Sequence, residues 1–524
     1  MSLGFGLQFW GWFFLALYIS LMIVLGAVGM KRVTSSDDFA TARRSYGPIF
    51  LAFALTATTA SGGTFIGIPA LAYSTGFSAL WYAFIYPLGV YLGVLLCLKA
   101  VRRAGDTFGN RSIPEFLGDR YDSEALRVCV SLFSILLLFY LAGQLLSGAV
   151  MFNQMMGVDI APALTITGFI IMFYIVIGGA HADILTDGVQ GALMLILALA
   201  VAWMFWEGFG VVGGFNGMIH ELEVQDPALT KPLSSTHPVL DSKWDVVALF
   251  VAHIPLGLLP HVGNKLWALK NDKDQTTFIV VSFVFGMILP CIALGGLLAR
   301  AILGDSLLLE GSSANYAIPE LFVRTMPTWL AAMIGAGVLA AIMSTADGLL
   351  VSISQIFAND IYRRSIAPRL GHDVKDEKVD RIALLISRLA TVVIVVAATY
   401  LAWRAQEMNV ALLIAAGIGG MLAAISGPIF AGILWKGTTK AGALSGLATG
   451  AGSFVFLKMG IIGNFPNYLD YFSWAEWLLV QEANPFSCGA IGVFISLTTV
   501  VIVSFFTEAP SSEHLSRTFG RLGA

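Results

Sequence analysis

The chain has 524 residues, 57% of them hydrophobic and only 12% charged, with a formal net charge of -3 and a mean hydropathy of +0.80. That balance lies outside the range of water-soluble globular domains and offers no charged block for nucleic acid or an acidic partner, so the working solvent is a lipid bilayer. The four scattered cysteines, Cys97, Cys129, Cys291 and Cys488, have none of the spacings used by metal or redox centres.

Apolar runs of roughly 20 residues, each long enough to cross a hydrocarbon core of about 30 Å, recur along the chain. They are too long and too uniformly apolar for barrel strands, which leaves an all-α membrane protein. In chain order the spans begin at Trp10, Gly47, Ala79, Ala125, Asp159, Asp183, Trp244, Thr277, Thr328, Asp380, Val410, Thr438 and Phe486, about 13 transmembrane helices in one domain. The first, 10–30, has no basic residue before it and no small-residue cleavage site, so it reads as a retained span. Spans 2 to 6 occupy 47–206, a polar loop with room for a short surface helix 207–243, spans 7 to 11 244–434 and spans 12 and 13 438–507, before a tail of 508–524. Tyr468, Tyr471, Phe472, Trp474 and Trp477 suit the headgroup level between spans 12 and 13.

Lys and Arg set the orientation. They cluster after spans 1, 3, 7, 9, 11 and 13, as at Arg43 and Arg44, Arg102, Arg103 and Arg120, Lys265, Lys270 and Lys273, Arg363 and Arg364, Lys436 and Lys440, and Arg517 and Arg521. The N-terminus is therefore expected outside and the C-terminus in the cytoplasm, across the plasma membrane or a bacterial inner membrane.

Two spans five apart are interrupted. Span 2 carries LTATTASGGTFIG from Leu55 to Gly67, and span 7 carries HIPLGLLPHVG from His253 to Gly263. Gly62 and Gly63 in the first, and Pro255, Gly257 and Pro260 in the second, free backbone groups that a regular helix would pair. Paired breaks at this spacing point to two inverted five-helix repeats with a binding site where the breaks meet. Small residues in span 2 also suit close helix packing, which stands as the alternative there.

Replacing the water shell of sodium requires several carbonyl and hydroxyl oxygens. In span 9 the Ala341 carbonyl lies one turn before the Ser344 and Thr345 hydroxyls on one helix face, and span 2 offers the carbonyls of Ala57 and Ala60. Alternatively, Ser344 and Thr345 bond carbonyls of their own helix. Asp187 and Asp347 are intramembrane acids, which usually mark an ion path; Asp187 could instead complement a helix N-terminus. His253 and His261 flank the span-7 break and either bind solute or satisfy freed carbonyls. Gln144 is a further polar candidate, as are Thr58, Thr59, Ser61, Gly62, Gly63 and Thr64 at the span-2 break, where free N–H groups could hold a carboxylate. Nothing resembles a phosphate loop, a metal cluster or a nucleophile elbow, so no enzyme chemistry is expected.

At these residues the chain resembles the sodium:solute symporter family. The likeness runs in order through SSDDFATARRSYGP, TASGGTFIGIPALAY, RSIPEFLGDRYD, GGAHADILTDGVQ, LLPHVGNKLWALK, AAIMSTADGLLVSISQIFANDIY and SGPIFAGILWKGTTKAGALSG, from Asp37 to Gly446. The resemblance implies a five-plus-five inverted-repeat core like that of the leucine transporter, and a sodium ion as the transported coupling ion. Its site would comprise Ala57, Ala60, Ala341, Ser344 and Thr345, with Asp187 and Asp347 as a second cation site or release path. Positions that are polar amides or carboxylates in sugar-transporting members read Thr59, Thr64 and Ala83 here, which points away from sugars. The expected function is sodium-coupled import of a small organic solute, a carboxylate or amino-acid-like compound, with partners limited to that solute, sodium and lipid. The alternative is a transporter-like sensor that binds solute without moving it.

Overall fold

The structure is a computed structural model that describes residues 6–33, 36–234, 239–374, 376–461 and 473–519. Lipid offers backbone groups no water to bond, and the chain answers with helices nearly throughout. The strand-like pairing among the described residues is a single parallel bridge between Tyr46 and Leu269.

Helix α1 (Leu7–Arg32) buries one stripe, Gly11, Leu15, Tyr18, Met22, Gly26 and Gly29, and turns its other faces outward. Spacings of three and four place that stripe on one side of the helix. After the short α2 (Ser36–Thr41), α3 (Pro48–Thr59) ends where Ala60 leaves helical geometry, and a π-turn at Gly63–Gly67 leads into α4 (Ile68–Thr75). Next come α5 (Ala79–Phe108), α6 (Ile113–Tyr121), α7 (Glu124–Phe133) and α8 (Leu137–Met156). Helix α9 (Ile160–Glu207) is broken at Gly179, whose φ of 52° and ψ of -148° only glycine adopts readily, so two helical segments run through one continuous element.

The loop expected over 207–243 contains a helix, α10 (Gly214–Gln225). Then α11 (Lys243–His253) and α12 (Pro260–Ala268) meet at a 3₁₀ turn, Pro255–Leu258, with a bend of 52°. The second half of the chain continues with α13 (Gln275–Ile288), α14 (Leu294–Leu303), α15 (Ala317–Thr325), α16 (Thr328–Gln355), the brief α17 (Ala367–Arg369), α18 (Glu377–Arg404) and α19 (Val410–Leu434). It closes with α20 (Lys440–Lys458), α21 (Ser473–Glu482), α22 (Pro485–Phe505) and α23 (Ser512–Phe519). Of the expected interfacial aromatics, Tyr468, Tyr471 and Phe472 lie outside the described residues, while Trp477 packs edge-on against Trp244 at 5.1 Å.

Among the described residues nine helical segments are long and apolar enough to cross a membrane, or ten with the bent pair taken as one span. The sequence reading of about 13 differs for a physical reason. The breaks beside Ala60 and at Gly179 leave Pro48–Thr59 and Ile160–Phe173 as short apolar pieces, and α20 is diluted by glycine, serine and threonine.

Helix α16 lies at the centre, buried without interruption from Val338 to Gln355, and packs against α1, α3, α8 and α9. Between helices in lipid there is little hydrophobic drive, so close van der Waals approach must hold them. At the α11–α12 break that approach is backbone to backbone: a Cβ on Gly93 would lie 2.0 Å from Ile254 O, and one on Gly257 would lie 2.3 Å from Val90 O.

At the end of the bundle where α5 and α12 finish, ion pairs join separate elements. Arg102 reaches Asp272 at 2.7 Å, Arg44 bridges Asp106 and Asp272, Arg43 holds Asp37, and Arg364 pairs with Glu115. Arg102, Arg120 and Lys265, read from sequence as inner-surface charges, are buried. Arg102 and Arg120 donate to carbonyls that end neighbouring helices, Leu266 and Leu269 for the first and Gly432 for the second. Gly257→Val is expected to cost about 1–3 kcal/mol by overpacking. A lowered unfolding temperature of the detergent-purified chain would register it.

Candidate functional site

The site is assembled at the two helix breaks. On the α3 side, the groups freed between Ala60 and Gly63 are taken up locally. The Gly62 N–H donates to Gln144 Oε1 at 2.7 Å, the Gly63 N–H to Ser61 Oγ at 3.1 Å, and the Thr64 and Phe65 N–H groups to Ser61 O at 2.8 and 3.0 Å. Of the N–H groups from Ser61 to Thr64, read from sequence as free to hold a carboxylate, those of residues 62 to 64 thus have protein partners. Gln144 comes to the break from behind, on α8, with Nε2 unpartnered among the described residues. Gly62 is required for this contact, because a Cβ there would sit 2.4 Å from Ser147 Oγ.

Helix α16 crosses α3 just before the break. The single hydroxyl proton of Ser344 is shared between Ala57 O at 2.9 Å and its own Ala341 O at 2.8 Å. Thr345 donates to Thr58 O at 3.0 Å. The structure therefore brings together Ala57, Ala341 and Ser344, with Thr345 joined through Thr58, while Ala60 follows at the end of α3 with its N–H on Thr56 O. Own-helix bonding and cross-helix contact, the two readings left open for Ser344, both occur.

One turn deeper, the Thr58 hydroxyl lies 2.7 Å from Asp187 Oδ2 and 2.9 Å from Ala54 O, and can donate to one at a time. Asp187 shares the Lys265 ammonium with Asp183, at 2.7 and 2.8 Å. Both acids stand on α9 four residues apart, hence on one face, and all three side chains are buried. Asp347 is also buried, on α16 two residues beyond Thr345, close enough to Tyr18 to act on it electrostatically.

The two histidines separate. His261 and Lys265 line a cavity of about 10 Å³ with Asp183, Asn264 and Ser352. His253 instead faces a larger cavity of about 50 Å³, whose floor is Thr59, Ser61, Gly63 and Thr64. Aromatic rings surround that space: Tyr82, Tyr86 and Phe486 stand 5.6, 5.8 and 5.3 Å from the His253 ring. Tyr140 and the aliphatic Ile68, Leu256, Ile414, Ile418 and Leu422 also line it, and among the described residues no Lys, Arg, Asp or Glu does. His253 Nδ1 is 2.7 Å from Leu249 O. A carbonyl only accepts, so Nδ1 carries the proton and the neutral ring offers Nε2 as an acceptor.

Sequence reasoning missed Lys265 and Asp183, and the aromatic wall of Tyr82, Tyr86, Tyr140 and Phe486. The acids could have been found from their four-residue spacing within an apolar span. Lys265 is followed by Leu266 and Trp267, a poor context for a solvated charge.

Residues 39–450 match the family described as Sodium:solute symporter family. The chain belongs to that family. Among curated proteins this symporter is 26% identical over 520 residues to the sodium/proline symporter of Staphylococcus aureus, covering 95% of this chain and 93% of that protein. Among solved structures it superposes on a substrate-bound, outward-open sodium-coupled sialic acid symporter with a TM-score of 0.75 at 21% identity, covering 96% and 98% of the two chains. It also superposes on Mhp1, a nucleobase-cation-symport-1 family transporter in a closed conformation, at a TM-score of 0.51 and 14% identity, covering 93% and 99%. The likenesses to solved structures show the fold; the family match makes the chain a multi-pass membrane symporter with sodium as its coupling ion.

Replacing Gln144 by Leu leaves the Gly62 N–H buried and unpaired, a loss of about 1–3 kcal/mol. The symporter variant should unfold at lower temperature in detergent, with Gln144→Glu, which keeps an acceptor, closer to the parent.

Proposed function

We propose that the symporter imports a small organic solute, a carboxylate or amino-acid-like zwitterion, together with sodium, across the plasma membrane. Ala57, Ala60, Ala341, Ser344 and Thr345 are its sodium ligands. The observation that carries this reading is the Ser344 hydroxyl lodged between two carbonyls of different helices, Ala57 O and Ala341 O, beside a helix break. A sodium ion there would draw on the same oxygens. Since a hydroxyl proton aimed at a carbonyl cannot also face a cation, Ser344 must rotate as the ion enters, exchanging a hydrogen bond between α3 and α16 for an ion bridge. Of the two roles open to Asp187 and Asp347, a second cation site or a release path, the Lys265 ammonium on Asp187 favours the release path, and negative charge so close to the hydroxyls favours cation entry.

The topology that suits this work has about 13 spans, with the N-terminus outside and the C-terminus cytoplasmic. Residues 47–206 and 244–434 are its two inverted five-helix repeats, and 438–507 the last two spans. Support comes from the matched interruptions in α3–α4 and α11–α12, and from the excess of Lys and Arg in alternate loops. In that orientation the ion pairs of Arg102, Arg44 and Asp272 close the cytoplasmic side, and the aromatic cavity lies toward the outside.

The solute occupies the cavity over Thr59, Ser61, Gly63 and Thr64. Its aromatic faces and the His253 Nε2 acceptor favour a solute with an N–H or ammonium donor, since such rings attract cations. Among the described residues no cationic side chain lines the space to pair with a bare carboxylate. The proline specificity named for the Staphylococcus aureus relative agrees with this preference.

The deciding experiment is uptake of labelled proline, pantothenate, pyruvate and acetate into proteoliposomes, with and without an inward sodium gradient. Accumulation of one solute only with the gradient is expected; binding without accumulation would favour a sensor. Ser344→Ala and Thr345→Ala should each raise the half-saturating sodium concentration about tenfold, equivalent to about 1.4 kcal/mol. Unchanged sodium dependence in both would refute the assignment. His253→Phe, which keeps the ring and removes the acceptor, should weaken uptake of a donor-bearing solute while leaving sodium half-saturation near the parent value.

A further inference from the structure

Two carboxylates in the middle of a membrane protein need a positive charge, and in this chain the protein supplies one itself. The Lys265 ammonium sits 2.8 Å from Asp183 Oδ2 and 2.7 Å from Asp187 Oδ2, and all three side chains are at most 5% exposed as residues. It reaches them from α12, just past the second helix break, while both acids stand on one face of α9. Each acid keeps a second oxygen, Asp183 Oδ1 and Asp187 Oδ1, buried without a hydrogen-bond partner among the described residues. The same is true of both ring nitrogens of His261 and of Asn264 Oδ1, which border the small cavity that Lys265 shares with Asp183. The two Oδ2 oxygens meet at the Lys265 ammonium, and carboxylate oxygens with spare lone pairs are ligands that a hard monovalent cation such as sodium would also accept.

We propose that Lys265 is a tethered cation that takes the place of a sodium ion at Asp183 and Asp187, so that this symporter carries one sodium fewer per cycle than its buried acids would otherwise demand. The proposal rests on the sodium reading above and deepens it. Two carboxylates and one ammonium leave a single net negative charge, one residue removed from the Ser344 and Thr345 hydroxyls through Thr58, which touches Asp187 with its hydroxyl and Thr345 with its carbonyl. That residual charge attracts the ion at the hydroxyl cluster without itself releasing a second one. Asp347 stands on α16, and the Lys265 ammonium pairs with Asp183 and Asp187. An ammonium on a side chain cannot leave with the solute, so it neutralises the acids without adding to the transported charge.

The test uses the full-length chain in detergent, with radioactive sodium alone as the probe, and counts ions bound per protein at saturation. Lys265→Met keeps the buried stem and vacates the ammonium position; it should bind one sodium more than the parent, and its unfolding temperature should rise more steeply with sodium than the parent's. Lys265→Arg should keep the parental count. An unchanged count in Lys265→Met would overturn the proposal. Should Lys265→Met fail to fold, Asp183→Asn decides. With Lys265 still on Asp187, the count should stay as in the parent while sodium affinity weakens about tenfold. A count lower by one would mean that Asp183 and Asp187 already hold a transported ion and would overturn the proposal. A parent chain that binds no sodium would overturn the underlying sodium reading, whereas normal parental binding with a failed Lys265 result would refute the tethered cation alone.

Discussion

A bilayer interior leaves an unpaired backbone group at a cost of several kcal/mol, and this symporter breaks two helices inside it. Everything at its centre follows from how those breaks are closed. At the first, a glutamine from another helix, a serine hydroxyl and a serine carbonyl take up the N–H groups of residues 62 to 65. At the second, Pro255 and Pro260 contribute no donor, and the N–H groups of Val262 and Gly263 both find Leu259 O. The breaks are therefore supported by the chain itself, and what remains open beside them is side-chain chemistry.

That chemistry is continuous. Thr58 stands where it divides: its carbonyl accepts from Thr345, beside the Ser344 cluster, and its hydroxyl meets Asp187 and, through it, Lys265 and Asp183. A movement of α3 relative to α16 must disturb both groups at once, because the shared element is one residue. α12 is tied to the same assembly twice, by Lys265 within the bundle and by the bridge from Tyr46 to Leu269 at its end. Both broken helices thus converge on a network of buried oxygens, the arrangement a cation-coupled mechanism needs in order to make the solute path depend on the ion.

The cavity above this network has a different character. Its walls are aromatic and aliphatic, its polar floor is the broken stretch of α3–α4, and its orienting acceptor is His253, set by a carbonyl one turn back on α11. The charged Lys265, Asp183 and Asp187 lie outside the lining of this cavity, in the buried network around Thr58. Beyond, at the end of the bundle holding Arg102 and Asp272, ion pairs join elements from both halves of the chain. Within lipid, closeness is secured by glycine, as where α5 meets the α11–α12 break; at the watery edge, it is secured by charge.

Much of this was legible in the amino-acid sequence because the governing signals are local. Apolar runs, the Gly and Pro clusters of the two interruptions, and the helical spacing of Ala341, Ser344 and Thr345 are all properties of a few consecutive residues, and hydropathy along the chain reports the solvent directly. A break such as that at Gly179 changes backbone geometry without changing hydropathy, so its conformation is visible only in the structure. Which distant groups meet was settled only by tertiary packing. Lys265 reads along the chain as one more positive charge near a loop; 82 residues separate it from Asp183, and only the fold, which brings its ammonium to α9, makes it a buried partner of two acids. The same holds for His253 and His261, eight residues apart across one bend, which the fold sends into two separate cavities. Sequence alone determined the solvent, the helices and the places where they break, because those depend on neighbours in the chain; the tertiary structure decided the charge pairing and the aromatic cavity, because those depend on neighbours in space.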